Sequence, residues 1–409
     1  MAKVIVVGGG AAGLVAAWRA ASLGHSVLLL EANGRLGVKL RISGGGKCNI
    51  THDGLPKDLL AAFPKDQARF LRPALFALDS AAVVALLRRE GVDTYVRDNG
   101  RIFPLDRPGS AVAVVAAFES LVRRTGVEIR TGARVTALRG RTPRIESLEL
   151  EGERLTADVY VLATGGASYP ETGTRGEVLG WLAELGVPAR SWFPALAPIP
   201  LQQPRPAWEG VSLREGELRL GAGPGGRRLD GFTGDLVFTK AGISGPAALE
   251  LSQATERARR EGAAWLSYAT VPGPPEAADV SLQSEQRSNP RLLAATWLQR
   301  HLPERLVGPL IQEAGLASDL RLKELPRAGR RVLVDLVTAL PLGAPQAVSL
   351  ARGEVAAGGV ALPAVDPHTM ALRGWDNLRI CGELLDIDGP VGGYNLQAAF
   401  STGYAAGSL

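Results

Sequence analysis

The chain opens with the apolar run Met1-Ala2-Lys3-Val4-Ile5-Val6-Val7, followed at once by Gly8-Gly9-Gly10-Ala11-Ala12-Gly13. The first run predicts a strand, and the alanine-rich pattern from Ala11 to about Leu23 predicts a helix. A strand, a Gly-x-Gly-x-x-Gly turn and a helix in this order form the fingerprint of a dinucleotide-binding βαβ unit. The fold class expected from this stretch is therefore α/β.

Each glycine of the fingerprint has a separate role. Gly8 permits the tight turn, Gly10 lets the backbone approach a pyrophosphate, and Gly13 lets the helix pack closely on the strand. The bare start of the helix, at Ala11 and Ala12, offers N–H groups to the phosphates.

An acidic residue in the right place supports this interpretation. The next predicted strand, Ser26–Leu30, ends at Glu31, which lies 18 residues after Gly13. An acid at about this spacing accepts hydrogen bonds from an adenosine ribose. The alternative is a glycine-rich turn in an α/β protein without a ligand, and that alternative leaves Glu31 unexplained.

Composition bounds the class of protein. A chain of 409 residues, 46% apolar and 21% charged, indicates a globular protein of two domains. No stretch is apolar over the roughly 18 residues of a membrane span, and the opening strand leaves no room for a signal peptide. Cys48 and Cys381 make no metal-binding pattern, so we expect a reduced, cytoplasmic protein.

The net charge of +5 raises the question of nucleic-acid binding. Arginines cluster at Arg257–Arg260 and Arg327–Arg331. Because no basic stretch is interleaved with aromatic residues, as a base-stacking surface requires, a solvated surface is the favoured interpretation.

The pattern of elements predicts an interrupted domain. Residues 1–193 and 342–409 are expected to form the nucleotide-binding domain, and residues 194–341 a β-rich insert. Helical periodicity predicts a helical sub-insertion at about 289–330. Such an interruption is typical of flavoproteins and less so of plain NAD dehydrogenases.

Further motifs extend the predicted cofactor site. A glycine-rich loop follows the ribose acid and is suited to cradle a pyrophosphate and approach a flat ring, the alternative being a mobile surface loop. Its expected contact residues are Arg35, Lys39, Ser43, Gly44, Gly45, Gly46, Lys47, Cys48 and Asn49. Later segments are expected to add Val135, Thr164, Gly165, Gly166, Gly382, Glu383, Gly392, Gly393, Tyr394 and Asn395.

Two acids compete for one role in the last of these segments. Either Glu383 or Asp386 is placed to bind ribitol hydroxyls, and spacing favours Glu383, which follows the predicted strand directly. The helix start at Gly392–Gly393 is placed to face developing negative charge on a reduced flavin.

Four stretches together resemble the BaiN-like FAD-dependent oxidoreductases. They are Ser43–Asn49, Thr164–Pro170, Phe238–Pro246 and Gly382–Gln397. The resemblance spans essentially the whole chain and implies FAD on a glutathione-reductase-like Rossmann domain. It also implies a β-barrel-like insert domain with a helical subdomain. The chain departs from the family pattern at Lys47, commonly arginine, and at Lys240, often histidine.

The predicted function is that of an FAD-dependent oxidoreductase. We expect hydride to pass from NAD(P)H through flavin N5 to an unsaturated or carbonyl small molecule. No second fingerprint follows a strand, so the nicotinamide is expected to visit the site transiently. The open alternatives are a flavin oxidase using oxygen, an RNA-associated flavoprotein and a redox sensor. The substrate, the choice of NADH or NADPH and the oligomeric state stay open.

The catalytic candidates each have a structural alternative. Cys48 is a redox thiol or a packed cysteine, and His52 a proton donor or a surface histidine. Tyr169 and Tyr394 are donors to a carbonyl or aromatic packing on the flavin. Arg41 and Arg101 bind a substrate carboxylate or are solvated.

Overall fold

The computed structural model describes residues 1–105 and 109–409. It divides into two compact units, 1–193 with 350–409 and 194–349. The second boundary lies later than the predicted return at 342. The reason is that the strand Leu340–Gly343 pairs with Trp265–Ala269 of the second unit, so the chain leaves that unit only afterwards.

The first part of the chain alternates strands and helices. Its elements are β1 (Lys3–Val7), α1 (Ala11–Ser22), β2 (Ser26–Glu31), α2 (Val38–Ile42), β3 (Thr51–His52), α3 (Pro56–Leu60), α4 (Lys65–Ala77), α5 (Ser80–Arg89), β4 (Thr94–Val96), β5 (Arg101–Pro104), α6 (Ser110–Arg124), β6 (Glu128–Thr131), β7 (Val135–Arg141), β8 (Arg144–Leu150), β9 (Glu153–Leu155), β10 (Val159–Leu162), α7 (Val178–Glu184) and β11 (Ala189–Ala195).

The second unit contains short strands and then a run of helices. Its elements are β12 (Ile199–Pro200), β13 (Ser212–Leu213), β14 (Glu217–Gly221), β15 (Arg228–Thr233), β16 (Leu236–Thr239), β17 (Gly242–Ser244), α8 (Pro246–Arg260), β18 (Trp265–Ala269), α9 (Pro275–Ser288), α10 (Ala294–Gln299), α11 (Glu304–Glu313), α12 (Arg327–Thr338) and β19 (Leu340–Gly343). The chain then returns to the first unit with β20 (Val355–Val360), β21 (Leu378–Ile380) and α13 (Tyr394–Gly407).

A five-stranded parallel sheet forms the centre of the first unit, in the order β21-β10-β1-β2-β6. Val7 at the end of β1 lies opposite Leu30 of β2 and Leu162 of β10. Since the chain passes from β1 to β2 on one side and β10 lies on the other, the crevice at the carboxyl end of β1 is a topological switch point. That edge is where a Rossmann-type sheet binds its ligand.

Helices cover this sheet because their apolar faces are buried against it and each other. α1 packs against α13 and α6, and Phe118 of α6 stacks on Phe400 of α13 with ring centroids 5.0 Å apart. Each fully buried side chain of this size contributes about 1.5–3 kcal/mol to folding.

One helical stretch corrects an expectation from the sequence. By length and composition, Lys65–Arg89 is apolar enough to cross a membrane, although no such stretch was expected. The structure divides it into α4 and α5, and Asp79 between them caps α5 by accepting from the Ala82 N–H at 2.8 Å. α4 packs against α13 and α5 against α6, the usual situation of core helices, so this stretch is weak evidence for a membrane span.

The second unit contains two four-stranded antiparallel sheets, β12-β17-β16-β13 and β15-β14-β18-β19. Its helical run is longer than the predicted 289–330. It begins with α9 at Pro275 and ends with α12 at Thr338. Prolines and glycines around the added segments, such as those of 272–275 and Pro341, interrupt the helical pattern in the sequence.

A buried carboxylate is a stability element of the second unit. Glu256 of α8 accepts hydrogen bonds from Arg259, Arg260 and the Val348 N–H, at 2.8, 2.8 and 3.0 Å. These donors, with Arg259 first, lower the pKa of Glu256 from 4.5 to about 2. The carboxylate therefore stabilises the fold above pH about 4.5, and this stabilisation is lost as the pH falls toward 2.

We expect Glu256→Gln to lower the free energy of unfolding at pH 7 by about 3 kcal/mol, since one pKa unit corresponds to about 1.4 kcal/mol. Urea unfolding of both proteins across pH checks this. The difference should shrink as the pH falls through the range between the two pKa values, and a pH-independent difference would show that the charge of Glu256 is not responsible.

Candidate functional site

The turn between β1 and α1 forms the first part of the site. The Gly8 N–H donates to Leu30 O at 2.8 Å, and Gly8 has φ of +103°, which favours glycine. A Cβ on Gly13 would lie 1.8 Å from Gly8 O, so only glycine allows α1 to start this close to the strand. No side chain caps α1, and its first turn has no acid. Its N-terminus is therefore available to a phosphate.

Glu31 at the end of β2 also supports this turn. Its carboxylate is buried and accepts from the Gly9 N–H at 2.7 Å through Oε2. Oε1 accepts from the backbone and side-chain nitrogens of Asn33, at 2.8 and 2.7 Å. Because each carboxylate oxygen has more than one lone-pair site, a ribose hydroxyl can share the same acid.

The segment before β7 runs along this acid. Ala133 N–H donates to Glu31 O at 2.9 Å, and Gly132 N–H to Asn33 O at 2.8 Å. Val135 follows as a buried residue at the start of β7. Val135 therefore lies two residues after Ala133, whose N–H binds the Glu31 carbonyl.

The glycine-rich loop is built from left-handed backbone. Gly44, Gly45 and Gly46 have φ of +57°, +67° and +83°. Gly44 to Lys47 are exposed, as is Arg35 before α2. Asn49, in the amide orientation that satisfies its neighbours, accepts from the Gly393 N–H at 3.0 Å and donates to Ile102 O and Thr51 O. This residue links the loop to the start of α13.

An ion pair brings three distant segments together. Lys39 Nζ lies 2.7 Å from Glu383 Oε2 and 2.6 Å from Ser168 Oγ. Glu383 Oε1 accepts from the Ala356 N–H of β20 at 2.9 Å. The two side chains predicted to contact a cofactor separately are therefore also partners of each other.

Asp386, the competing acid, has a different environment. Its carboxylate pairs with Arg190 at 2.9 Å. Burial raises the pKa of Asp386, and Arg190 only partly offsets that rise. Whether Glu383 or Asp386 binds the ribityl chain stays a prediction, with Glu383 favoured.

The turn after β10 contains an unsatisfied hydroxyl. Thr164 Oγ1 is buried and has no hydrogen-bond partner among residues 1–105 and 109–409. Ala163 N–H donates to Val7 O at 2.8 Å, so Thr164 follows directly on the edge where β1 ends. Thr174 Oγ1 donates to Gly166 O at 2.6 Å and holds the loop in place.

The start of α13 lies against β3. Gly393, with φ of +91°, precedes Tyr394 as the N-cap, and no side chain caps the helix. Tyr394 stacks on His52 with ring centroids 4.8 Å apart. Asn395 bonds both backbone groups of Gly389, at 2.8 and 2.7 Å, and so fixes the preceding turn.

The ring of His52 is held by its own surroundings. Its Nδ1 lies 2.9 Å from Asp53 O and its Nε2 3.1 Å from Asn99 O. With both nitrogens against backbone carbonyls, His52 is poorly placed as the proton donor considered from the sequence. Arg41 Nε, which carries one of the five N–H donors of the guanidinium group, donates to Leu36 O at 3.2 Å.

Glu354 is a candidate that the sequence analysis missed. It lies one residue before β20, and its side chain reaches solvent. Desolvation by the surrounding protein raises the pKa of Glu354, and the positive charges of Arg101 and Lys39 only partly offset this rise. Tyr169 has a left-handed φ of +50°, and its N–H donates to Ala351 O at 3.2 Å. Burial, with Glu354 adding to it, raises the pKa of Tyr169. No motif marks Arg352-Gly353-Glu354, so only the fold could identify this acid.

Cys48 does not have the environment of a redox thiol. Its side chain is buried, and this burial raises its pKa to about 12. The same is true of Cys381. A thiolate is the reactive form of cysteine, so this environment favours the packing role for both cysteines.

We therefore expect neither thiol of the native protein to react with a thiol-specific disulfide reagent at pH 8. Two thiols per chain should react after denaturation. Rapid reaction of one thiol in the native state would restore Cys48 as a redox candidate.

A dinucleotide fits the residues present. α1 has an uncapped N-terminus facing the strand edge, Glu31 follows the next strand, and Thr164 has a buried hydroxyl that lacks a partner. The residues that would hold FAD are those of the β1–α1 turn, Glu31, Lys39, Thr164, Glu383 and the start of α13. The fold and this site define an FAD-binding oxidoreductase of the Rossmann type.

The chain matches the family described as "HI0933-like protein Rossmann domain" over residues 2–409, and it belongs to that family. It is 28% identical to the 3-dehydro-bile acid delta(4,6)-reductase of Clostridium scindens, over 100% of this chain and 98% of the relative. It is also 28% identical to the ribosomal RNA dihydrouridine synthase of Escherichia coli, over 98% and 96%.

A solved structure shows the same fold. The 3-ketosteroid delta1-dehydrogenase of Sterolibacterium denitrificans is 16% identical, with a TM-score of 0.55 over 99% of this chain and 98% of that chain. At this identity the likeness shows the architecture alone.

Proposed function

We propose that this protein is an FAD-dependent reductase that saturates a carbon–carbon double bond conjugated to a carbonyl, in a small unsaturated molecule, with NAD(P)H as the source of electrons. The observation that carries the proposal is the Lys39–Glu383 ion pair, whose carboxylate lies against Gly165 and Gly166, directly after the unsatisfied Thr164 hydroxyl.

The names of the two relatives support this reaction class. A 3-dehydro-bile acid delta(4,6)-reductase acts on double bonds in conjugation with a ketone. A dihydrouridine synthase adds hydrogen across the double bond of uracil, which is also next to a carbonyl. The shared chemistry is the reduction of an activated double bond.

FAD, when bound, supplies two-electron redox chemistry. The protein must then orient the cofactor and provide a proton. Lys39 and Glu383 fix the relation between α2, the Ser168 loop and β20, and the α13 N-terminus offers partial positive charge.

Glu354 is our candidate for the proton source. Saturating a double bond requires one proton in addition to hydride. A raised pKa keeps a carboxyl protonated to a higher pH, so that it can supply this proton. Tyr169, on the loop whose backbone binds Ala351, would orient the acid or the carbonyl.

If Glu354 delivers the proton, the rate should fall as the pH rises through its raised pKa, because the carboxyl is then ionised. Glu354→Gln should lower the rate by about 100-fold, within the range for loss of a general acid, and remove this pH dependence. The double-bond reduction measured from pH 5 to 9 in both proteins tests this. An unchanged profile in the variant would assign the proton to another group.

A second candidate function is the reduction of uridine within RNA. It is favoured by the match over nearly the full length to ribosomal RNA dihydrouridine synthases from two species. The chain also has a net charge of +5, which suits a polyanionic partner.

An acceptor comparison distinguishes the candidates. The FAD-loaded protein is given NADH or NADPH without oxygen, and then a steroid enone, a uridine-containing RNA or air. Our proposal expects the saturated ketone as product, and the second candidate expects dihydrouridine. Turnover with air alone would indicate an oxidase instead, and reduction without turnover of any acceptor would fit a redox sensor.

The proposal includes two further expectations, one about the second unit and one about the cellular compartment. The two four-stranded sheets of the second unit would form the barrel-like insert, with α9 to α12 as its helical subdomain. The separate, unpaired cysteines suit a reducing cytoplasm.

A further inference from the structure

Positive charge is concentrated in one stretch of the second unit. Residues 287–331 include nine lysines and arginines and four acids. The whole helical run, 275–338, contains the same nine cations and eight acids, so the charges of the two signs are segregated along the run.

Six residues of this stretch form what we call the arginine surface. They are Arg287, Arg291, Arg321, Lys323, Arg327 and Arg331, and all six side chains are exposed.

Backbone hydrogen bonds bring the members together. Ala294 N–H donates to Leu320 O at 2.9 Å, and Leu322 N–H donates to Leu292 O at 2.8 Å. Lys323 N–H donates to Pro290 O at 3.0 Å, which sets Lys323 beside Arg291. The segments around 291 and 321 are thus neighbours.

The ends of α9 and α12 complete the surface. Gln286 of α9 donates to Leu322 O at 2.8 Å, so Arg287 lies next to the same segment. Arg330 of α12 bonds Asp279 and Gln286, at 2.7 and 3.4 Å, and so fixes α12 against α9. Arg327 and Arg331 lie four residues apart on the exposed side of α12.

The pairing of charges separates this surface from the rest of the unit. Arg205, Arg219, Arg300 and Arg330 each have a carboxylate partner at 2.6 to 2.9 Å. The side chains of the five arginines of the arginine surface have no ion pair or hydrogen bond among residues 1–105 and 109–409. Arg327 interacts electrostatically with Asp279 at longer range, and Lys323 has only Glu324 at 3.5 Å.

This arrangement carries a cost in the isolated chain. Like charges at i and i+4 of a helix, as at Arg327 and Arg331, destabilise it by a few tenths of a kcal/mol. Of the other acids in or just after this stretch, Glu313 pairs with Arg205, and Glu304, Asp319 and Asp335 form no ion pair with the five arginines. A partner with regularly spaced negative charge would relieve the repulsion.

We propose that the arginine surface binds the phosphate backbone of RNA. This proposal rests on the second candidate function, the reduction of uridine in RNA. In this proposal, the helical part of the second unit provides the part of RNA binding that does not depend on sequence. Neither the fold nor the family assigns this role to it.

Two features favour RNA over a membrane. Five of the six cations are arginines, whose guanidinium groups bind phosphate oxygens in pairs. Membrane-surface helices also place large apolar side chains beside their cations. The exposed large apolar residues of this unit, among the described part of the chain, are Leu229, Phe232 and Val280, and none lies within 287–331.

The test compares two variants with the same change in charge. Arg291→Glu/Arg321→Glu/Arg327→Glu alters the arginine surface, and Arg69→Glu/Arg88→Glu/Arg89→Glu alters exposed arginines of the first unit that lie outside the site. Both are studied as full-length FAD-loaded protein. Binding of a fluorescent RNA hairpin is measured by anisotropy over a series of salt concentrations, with anionic phosphatidylglycerol vesicles as a second probe.

We expect the first variant to bind RNA at least 30-fold more weakly and to lower the slope of log affinity against log salt by about 2 to 3, since each lost phosphate contact removes about 0.7–0.9. The control variant should stay within about threefold of the parent, as screened charges at a distance contribute little. Arg291→Gln/Arg321→Gln/Arg327→Gln, which introduces no repulsion, should show the same slope change with a smaller loss.

Three results would overturn the proposal. They are no RNA binding by the parent at low salt, equal loss in both variants, and vesicle binding as strong as RNA binding with the same dependence on the three arginines. Reduction of a steroid enone, measured in parallel, keeps the outcomes separate. Intact enone reduction without RNA binding refutes the arginine surface and leaves the small-molecule reductase standing.

Discussion

Replacing Gly10 by aspartate is expected to abolish FAD binding and leave the fold intact. A Cβ on Gly10 would meet nothing within 4 Å, and the residue is the N-cap of α1 with an ordinary φ of −86°. Aspartate is a preferred N-cap, so the free energy of unfolding without cofactor should change by no more than about 1 kcal/mol. The new carboxylate would occupy the helix start that a pyrophosphate needs.

The expected loss of FAD affinity is at least 100-fold, or about 2.7 kcal/mol. Two like charges a few ångströms apart near a protein surface repel by about that much or more. Titration of the apoprotein with FAD, followed by fluorescence, measures the affinity. Gly180→Asp, which adds the same charge at an exposed helical glycine of α7 with open space around it, is the matched control. Normal binding by Gly10→Asp would remove the pyrophosphate from the β1–α1 turn.

Breaking the Lys39–Glu383 pair is expected to destabilise the first unit. The two side chains are 27% and 20% exposed, so either one left alone is a poorly hydrated charge. We expect Lys39→Met and Glu383→Gln each to lower the free energy of unfolding by about 2 kcal/mol, less than the 3–5 kcal/mol of a fully buried pair. The double variant should lose about 1–2 kcal/mol less than the sum.

Urea unfolding of the four proteins without cofactor gives this coupling energy. The exposed pair Arg123–Glu119, with side chains 62% and 28% exposed, is the reference. Its coupling should be below about 0.5 kcal/mol. A coupling for Lys39–Glu383 no larger than that of the reference would mean that the pair does not hold α2, the Ser168 loop and β20 together.

The parts of the site that the sequence predicts are those with local geometry. Gly8, Gly10 and Gly13 lie within one turn, and their roles follow from backbone sterics and the helix dipole. The position of Glu31 at a strand end can be predicted because the strand that precedes it is short and apolar. A single window of sequence contains everything these predictions need.

The parts that escape prediction depend on contacts between distant residues. Lys39 and Glu383 are 344 positions apart, and nothing in either motif indicates that they pair. Glu354 has no motif, and its raised pKa arises from the protein packed around it. His52 appears catalytic from its neighbours in sequence, and only the positions of Asp53 O and Asn99 O show that its ring is already held.

The domain boundary at 342 fails for the same reason. The residues of Leu340–Gly343 do not indicate which strand pairs with this strand. Its pairing with β18 places it in the second unit. The sequence pattern identifies a strand there without saying to which sheet the strand belongs.

The central claim is that this chain reduces a double bond conjugated to a carbonyl in a small molecule. A single turnover tests it most directly. The FAD-loaded protein is reduced with NADPH or NADH without oxygen, excess nicotinamide is removed, and one equivalent of a steroid enone is added. We predict that the visible absorbance of oxidised FAD returns while one equivalent of the saturated ketone forms. Absorbance that returns only when air is admitted, with the enone recovered unchanged, would contradict the claim.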